Sequence, residues 1–344
     1  MSLLDRIRKL GQLPQLLATG TAPLSVWAGD HLEQVTSPDY EYLPVTRSQA
    51  MAIPAVVRAR TLIVTTVARC PIVSDTDEIT PGWLHGIAPI GGHPQTEFHR
   101  LLHTADDLLF HGSAAWAIER DDLDNVTAAV HIPRSLWERT ADGTIIVDGV
   151  PAPAKEVAVF DGIHGGILTH GARALRDASN ILSAAARVAD TPAALIELRQ
   201  TNDAVMTRED IKALIQGYVD ARRGKNGGVS YSSSGVEVHE HSLAPENLLI
   251  EGRNAAAVDV ARLLGVPAPF IDATVGGTSL SYENAASRMT ELITFGVAPL
   301  LAAIGSRLNL SDLTPVGTVS FDTAQIIENI SELLPTNNTN NEVA

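Results

Sequence analysis

The segment 246–299 constrains this chain more than any other. It reads as a helix, then the break Gly265-Val266-Pro267-Ala268-Pro269-Phe270-Ile271, then a loop, then a second helix. The first helix carries Glu251, Arg253, Ala257, Asp259, Arg262, Leu263 and Leu264. Pro267 lacks the N–H a helix needs and biases the residue before it towards extended backbone, so one continuous rod is excluded. The loop holds Thr274-Val275-Gly276-Gly277-Thr278. The second helix opens at Ser281-Tyr282-Glu283-Asn284 and is expected to bend near Gly296 and Pro299.

Upstream, residues 1–20 suggest a short amphipathic helix with Leu3, Leu4, Ile7 and Leu10 on one side. A strong helix follows, with Ser48 as its N-cap and Ile53, Val56, Val57, Leu62, Ile63 and Val67 at helical spacing until Pro71 stops it. The Gly- and Pro-rich stretch 75–96 reads as loop. Residues 98–109 form a helix ended by Gly112. Strands are expected at 113–120, 127–132, 144–147 and 156–160, with 121–125, Asp142-Gly143 and Asp148-Gly149 as turns.

The Ala-rich stretch 174–204 reads as helix with a kink or break at Pro192. Thr207-Arg208-Glu209-Asp210 looks like an N-cap with an acidic first turn, opening a helix that ends before Gly224. Runs at 229–232 and 236–241, around Ser233-Ser234-Gly235, read as a hairpin. Helix continues to about 308, a short strand is expected at 319–321, a final helix at 324–334 and a disordered tail at 335–344.

With 40 acidic against 25 basic residues the net charge is -15. A protein that grips duplex phosphates is expected to be basic or to carry a basic face. An acidic wall suits the opposite task, letting a polyanion pass without sticking. One cysteine, Cys70, rules out an internal disulfide framework, fits a reducing compartment and reads as apolar packing. No secretory signal or membrane span is recognised: the best apolar run, 292–305, is shorter than the roughly 20 residues a span needs and contains Pro299. The expected chain is soluble and intracellular.

Signals for catalysis are weak. There is no phosphate-cradling G-x-x-x-x-G-K-[ST] loop, and Gly224-Lys225-Asn226-Gly227-Gly228 lacks the hydroxyl that would hold magnesium. His99 and His103 have a zinc-compatible spacing but lack the Glu of H-E-x-x-H, and His239 and His241 alternate without a further ligand. Asp106-Asp107 and Asp121-Asp122 read as solvated charges. No cofactor, metal or catalytic residue is expected. The alternative is an intracellular hydrolase or transferase whose site is assembled from distant residues.

Several segments, taken in order, resemble the portal proteins of long-non-contractile-tailed phages. The helix Ile53-Pro54-Ala55-Val56-Val57-Arg58 running to Ala68-Arg69-Cys70-Pro71-Ile72 resembles the family's early helix and strand start. The stretch from Asp106-Asp107 through Gly112-Ser113-Ala114-Ala115-Trp116 resembles a "D-x-x-x-x-G-N-A-Y" junction, with Ser113 for Asn. Leu264-Gly265-Val266-Pro267 is similar to "F-G-V-P", and Val319-Ser320-Phe321-Asp322 to a late "F-x-F-D" strand. Ser281-Tyr282-Glu283-Asn284 and Val297-Ala298-Pro299 match the kinked helix and its bend. The resemblance spans about 45–325; the chain stops early after it, so a large crown domain is not expected.

That resemblance implies an α+β fold with an α/β wing, a helical stem, a small α/β clip and a long kinked helix, closing into a dodecameric ring. Residues 1–175 would be wing, 176–205 and 246–265 stem helices and 206–245 clip. Residues 266–280 would be the tunnel-loop region, 281–325 the kinked helix with C-terminal wing or reduced crown, and 326–344 a helix and tail. Asp272, Thr274, Val275, Gly276, Gly277 and Thr278 would touch DNA in the tunnel; Arg222, Arg223 and Lys225 would meet partners at the clip. Implied partners are other copies of the chain, passing double-stranded DNA, the terminase large subunit, a head–tail adaptor, and the major capsid protein and scaffold, with no membrane. The implied location is the capsid portal vertex of the virion, after assembly in the host cytoplasm. A 19-residue stem helix would span roughly 28 Å. The tunnel loop carries no Lys or Arg, so its phosphate contacts should be weak and without sequence preference.

Overall fold

The computed structural model describes residues 3, 7, 43–74, 81–86, 88–90, 93–190, 194–202, 207–222, 236–242, 249–273, 282–324 and 326. The chain divides into two units, residues 1–180 with 252–344, and residues 181–251.

The first unit opens with α1 (Arg47–Met51) and α2 (Pro54–Arg69). Thr46, not Ser48, is the cap: its hydroxyl accepts the Gln49 N–H while the Gln49 side chain accepts the Thr46 N–H. The expected single helix is two, because Pro54 offers no N–H to continue α1 and instead fits the first position of α2. Val56, Ala59, Ile63, Val64 and Val67 bury one face of α2. Cys70 is buried, its thiol 3.4 Å from the Asp322 carbonyl; burial, then the Asp322 charge, pushes its pKa up to about 11. This is the inert packing role expected of it.

Strand β1 (Ile72–Ser74) pairs antiparallel with a strand from the far end of the chain. The stretch read as loop holds α3 (Gly82–His85) and a hairpin of β2 (Ala88–Ile90) and β3 (His93–Gln95). Prolines hid the hairpin: Pro89 and Pro94 sit opposite each other, where neither can donate to a ladder.

Helix α4 (Glu97–His111) is capped by Thr96 and ends on Gly112, which is left-handed at φ 73. Strand β4 (Ser113–Arg120) lies between β5 (Val126–Ile132) and β9 (Val157–Asp161). A second sheet joins β6 (Trp137–Arg139), β7 (Ile145–Val147) and β8 (Val150–Pro151). Strands β6 and β8, too short to show alternation, were not expected. Both faces of β4 are buried. Ala115 and Ala117 pack with Leu3, Ile7, Val130, Ile132 and Trp137, so the two described residues of the N-terminal amphipathic segment do face a core. On the other face the Trp116 indole packs on Phe160 and donates to the Thr104 hydroxyl of α4 at 2.7 Å.

Asp106 and Asp107 are buried, not solvated. Asp106 accepts from Arg47 of α1 at 2.8 Å and from Arg60 of α2 at 2.6 Å. Asp107 lies 2.8 Å from Nε2 of His131 on β5, and His103 stacks on that ring at 5.4 Å. Arg100, fully buried, donates to the carbonyls of Ala129 and Leu84 and lies over the Trp116 ring. Burial pulls its pKa down to about 10, against the opposing charge of Glu97. Expectation failed here because each carboxylate faces an arginine or histidine on another element, invisible in local sequence.

After α5 (Ile167–His170) comes α6 (Ala172–Asp190). Helix was expected to 204, but residues 194–200 form strand β10 (Ala194–Gln200). Pro192 denies the helix a donor just before a run containing Leu195 and Ile196, which pairing can satisfy. The second unit also holds α7 (Arg208–Arg222) and β11 (Val236–Ser242). Thr207 and Asp210 cap α7 reciprocally, as the sequence suggested, and the Thr207 hydroxyl holds the Asp210 carboxyl below its usual pKa. Strand β11 pairs antiparallel with β10, from Ala194↔Ser242 to Gln200↔Val236; the expected hairpin arm 229–232 lies outside the described residues.

Helix α8 (Ile250–Leu264) leads through a 3-10 turn, Ala268–Ile271, towards α9 (Tyr282–Glu291). A π-helical turn, Leu292–Val297, joins α9 to α10 (Ala298–Leu308), and β12 (Val319–Phe321) completes the pair with β1. Arg307 grips both oxygens of Asp312 at 2.8 Å and donates to the Val159 carbonyl of β9. The Asn309 amide bonds both the N–H and the carbonyl of Val319, standing in for a neighbouring strand. The stretch Ser287–Leu308 is long and apolar enough to cross a membrane by length and composition, longer than the run recognised in the sequence. Ile293, Val297, Leu301, Ile304 and Leu308 along it are buried within the unit. Ala324 and Ile326 are helical; the rest of the expected final helix and tail lies outside the described residues.

Two outcomes follow from the packing around α4. A Cβ on residue 112 would collide with the His164 carbonyl, in a backbone conformation L side chains avoid. Gly112→Ala should therefore destabilise by about 2 kcal/mol or more, read as a lower melting temperature. Burial holds the pKa values of His103, His111 and His164 down, with His131 adding to the effect at His103. The unfolded chain, with histidines near about 6.5, then binds more protons as the pH falls, so stability is intact above that value and declines below it. The melting temperature should drop between about pH 7.5 and 5.5, and His103→Gln should reduce the drop.

Candidate functional site

The sequence placed its binding candidates around the link between α8 and α9, and the described residues on both sides are tightly built. Helix α8 ends on Gly265, left-handed at φ 65, with the Val266 N–H returning to the Ala261 carbonyl at 3.0 Å. Pro267 then starts the 3-10 turn. Asp272 caps it, also left-handed at φ 59, and the Ala273 N–H bonds the Ala268 carbonyl. Ile271 and Ala273 are buried, and the Arg58 side chain of α2 donates to the Phe270 carbonyl at 3.2 Å. The chain therefore enters residues 274–281 from a doubly capped, anchored turn.

On the far side, where the sequence predicts a bend, the second helix holds two features that bend helices. The π turn widens the helix over Leu292–Val297, and Pro299 follows one residue into α10. Gly265 and Gly296 face each other across the fold. A Cβ on Gly265 would lie 2.8 Å from the Phe295 carbonyl oxygen, and one on Gly296 would lie 2.9 Å from the Gly265 carbonyl oxygen. The π turn also holds Phe295 out, 67% exposed. Beside this contact a groove of about 490 Å³ runs between α8 and the kinked helix, walled by Val258, Ala261, Pro267, Pro269, Arg288 and Phe295.

Of the predicted tunnel residues, Asp272 stands at the root of the link; Thr274, Val275, Gly276, Gly277 and Thr278 lie outside the described residues. Arg222 is the last residue of α7, and Arg223 and Lys225 lie outside the described residues. Sequence reasoning found Gly265 and Gly296 singly, as a turn and a bend, and missed that they touch. Their shared signal was glycine at a helix end and glycine inside a helix, each a site of close backbone approach.

A second polar site is a cleft of about 680 Å³ in the first unit, lined by Arg47, His103, Asp106, Asp107, His111 and Arg134 among others. Its carboxylates are engaged by Arg47, Arg60 and His131, so the constellation ties α1, α2 and β5 to α4. Among the described residues no group of three or more His, Cys, Asp or Glu side chains is placed to hold a metal ion.

The glycine contact yields a paired test. Gly296→Ala should cost about 1–3 kcal/mol, because a methyl group meets backbone that cannot step aside. Gly305→Ala, on the same kinked helix, would meet only the Phe321 ring at 3.6 Å and should be neutral or stabilise by up to about 1 kcal/mol. Thermal melting of both variants checks the contrast.

Comparison with known proteins matches this architecture. The family model described as phage portal protein matches residues 54–340. Among solved structures, an HK97 family phage portal protein from Corynebacterium diphtheriae is 52% identical, covers 86% of this chain and 99% of its own, and superposes with a TM-score of 0.66. The virion of a native gene transfer agent particle contains a chain 16% identical, covering 84% of this one and 89% of its own, with a TM-score of 0.63. The neck of the native gene transfer agent particle, computed with C12 symmetry, has a chain 16% identical, covering 87% and 88%, with a TM-score of 0.61. These last two share the fold. Comparison with curated protein sequences gives no match. The order of elements, the kinked helix and the extent of these matches agree: the chain belongs to the phage portal protein family.

Proposed function

We propose that copies of this chain close into a dodecameric ring at one capsid vertex, through which double-stranded DNA is packed and later ejected. The observation that carries this is the anchored turn, the link 274–281 and the π-kinked helix, in a chain 52% identical to a phage portal protein.

In this reading residues 1–175 form the wing, and α6 and α8 are the stem. The clip is the 206–245 segment, extended back to include β10, the partner of β11. Residues 274–278 form the tunnel loop, with Asp272 at its root. Arg222, Arg223 and Lys225 face the terminase large subunit and then the head–tail adaptor, while the wing meets the major capsid protein and scaffold. The ring is a structural channel, and a partner supplies the energy of packaging.

Chemistry favours passage over grip. The subunit carries 15 net negative charges, and residues 272–278 include no cation. A duplex then meets a repelling wall and small uncharged side chains, with few phosphate contacts to release counterions. Negative-stain microscopy of purified protein should show rings with a central hole wide enough for a duplex; a sample without such a hole would overturn the reading. Thr278→Lys should keep the ring while adding DNA retention that falls steeply with salt.

A further inference from the structure

The cleft of about 680 Å³ in the first unit holds more hydrogen-bond donors than its structural ties use. Asp106 and Asp107 are matched by Arg47, Arg60 and His131. Three lining side chains have donors left over: Arg47, Arg134 and His111. Arg47 gives one nitrogen, Nη2, to Asp106, and its guanidinium lies over the Phe110 ring at 5.0 Å. Arg134 gives Nη1 to the Trp137 carbonyl and lies over the Trp137 ring at 4.7 Å. Its buried Nε has no acceptor. A guanidinium carries five N–H donors, so most of both sets are unused among the described residues. Neither ring nitrogen of His111 makes a hydrogen bond among them. The three groups share one field: burial first, then the charges of Arg134 and Arg47, hold the His111 pKa down against Asp107 and Asp106. Aromatic rings behind both guanidinium groups fix them before any ligand arrives, which lowers the ordering cost of binding. Three arginines, Arg47, Arg60 and Arg134, face two carboxylates, Asp106 and Asp107, so the fixed charge favours an anion over a metal cation.

We propose that Arg47, Arg134 and His111 form an oxyanion site that takes a phosphate group. A tetrahedral oxyanion offers acceptor oxygens in several directions. That suits donors arriving from α1, from the end of α4 and from the turn after β5. A carboxylate offers two oxygens in one plane and would leave one of the three donors without a partner. The cleft has the volume of a small-ligand pocket, so the phosphate can arrive free or carried on a nucleotide. The site does not depend on the ring reading, because every residue in it belongs to the first unit of a single chain.

The test is calorimetric titration of the full chain, purified in chloride buffer, with inorganic phosphate and with adenosine monophosphate at constant ionic strength. Saturable binding at one site per chain is expected for at least one of the two. Phosphate binding identifies the free ion as a ligand; binding of the monophosphate alone, with adenosine silent, identifies a nucleotide. Arg134→Gln and His111→Gln should each weaken binding by about tenfold or more. Arg134→Lys keeps the charge without the fork and should fall between. Arg139→Gln removes the same charge from a half-exposed pair with Asp161 outside the cleft and should bind like the parent. If Arg134→Gln melts lower than the parent in chloride, the His111→Gln comparison decides. The site is overturned by the absence of saturable binding, by acetate binding as tightly as phosphate, or by folded glutamine variants that bind at full strength.

Discussion

Two glycines facing one another decide where the chain goes on either side of its central link. Gly265 ends α8 and Gly296 lies in the widened turn of the kinked helix, and each has the other's backbone within the space a methyl group would fill. Backbone meets backbone with no side chain between to rotate or compress. Close-packed contacts of this kind transmit displacement with little slack. A push on the kinked helix would therefore reach the end of α8, and with it the anchored turn that feeds residues 274–281. The π turn serves this contact as well as the bend, since an extra residue in one turn brings Gly296 to the right side and leaves Phe295 facing outward.

The first unit is organised by charge placed where charge is expensive. Helix α4 buries Arg100, Asp106 and Asp107, and each finds its partner on a different element. Buried pairs of this type contribute little net stability compared with apolar packing. What they contribute is position: Asp106 cannot be satisfied unless α1 and α2 both arrive with their arginines, and Asp107 needs His131 of β5. The Trp116 to Thr104 bond fixes the register of β4 against the same helix.

Local patterns carried much of the architecture. The helix starts at Thr207 and the helix ends at Gly112 and Gly265 were legible because capping chemistry is written within four residues. The acidic turn at 121–125 was legible for the same reason, Asp121 accepting the N–H groups of Leu123 and Asn125. The kink was legible because Gly296 and Pro299 interrupt a helical run, though the π turn itself was not. What stayed hidden depends on partners remote in sequence. Residues 194–200 look helical beside α6 and become strand because β11 is available more than thirty positions later. Asp106 and Asp107 look like surface charges until the arginines and histidine of other elements are placed around them. At the candidate site, the break after α8 and the bend could be read, whereas the anchoring of Asp272's turn and the glycine contact spanning residues 265 and 296 could not.

The pairing of β1 with β12 has a consequence for how such a chain is made. Ile72 meets Phe321, and the Asp322 N–H reaches back to the Pro71 carbonyl at 3.0 Å. The early helix acquires these neighbours only after the long excursion between β1 and β12 has been made and closed. A prematurely terminated product lacking the final strand would expose Ile72 and Cys70 and present an unfinished sheet edge. Quality control is thereby built into the topology: a truncated subunit betrays itself to chaperones and proteases before it can be added to a capsid vertex.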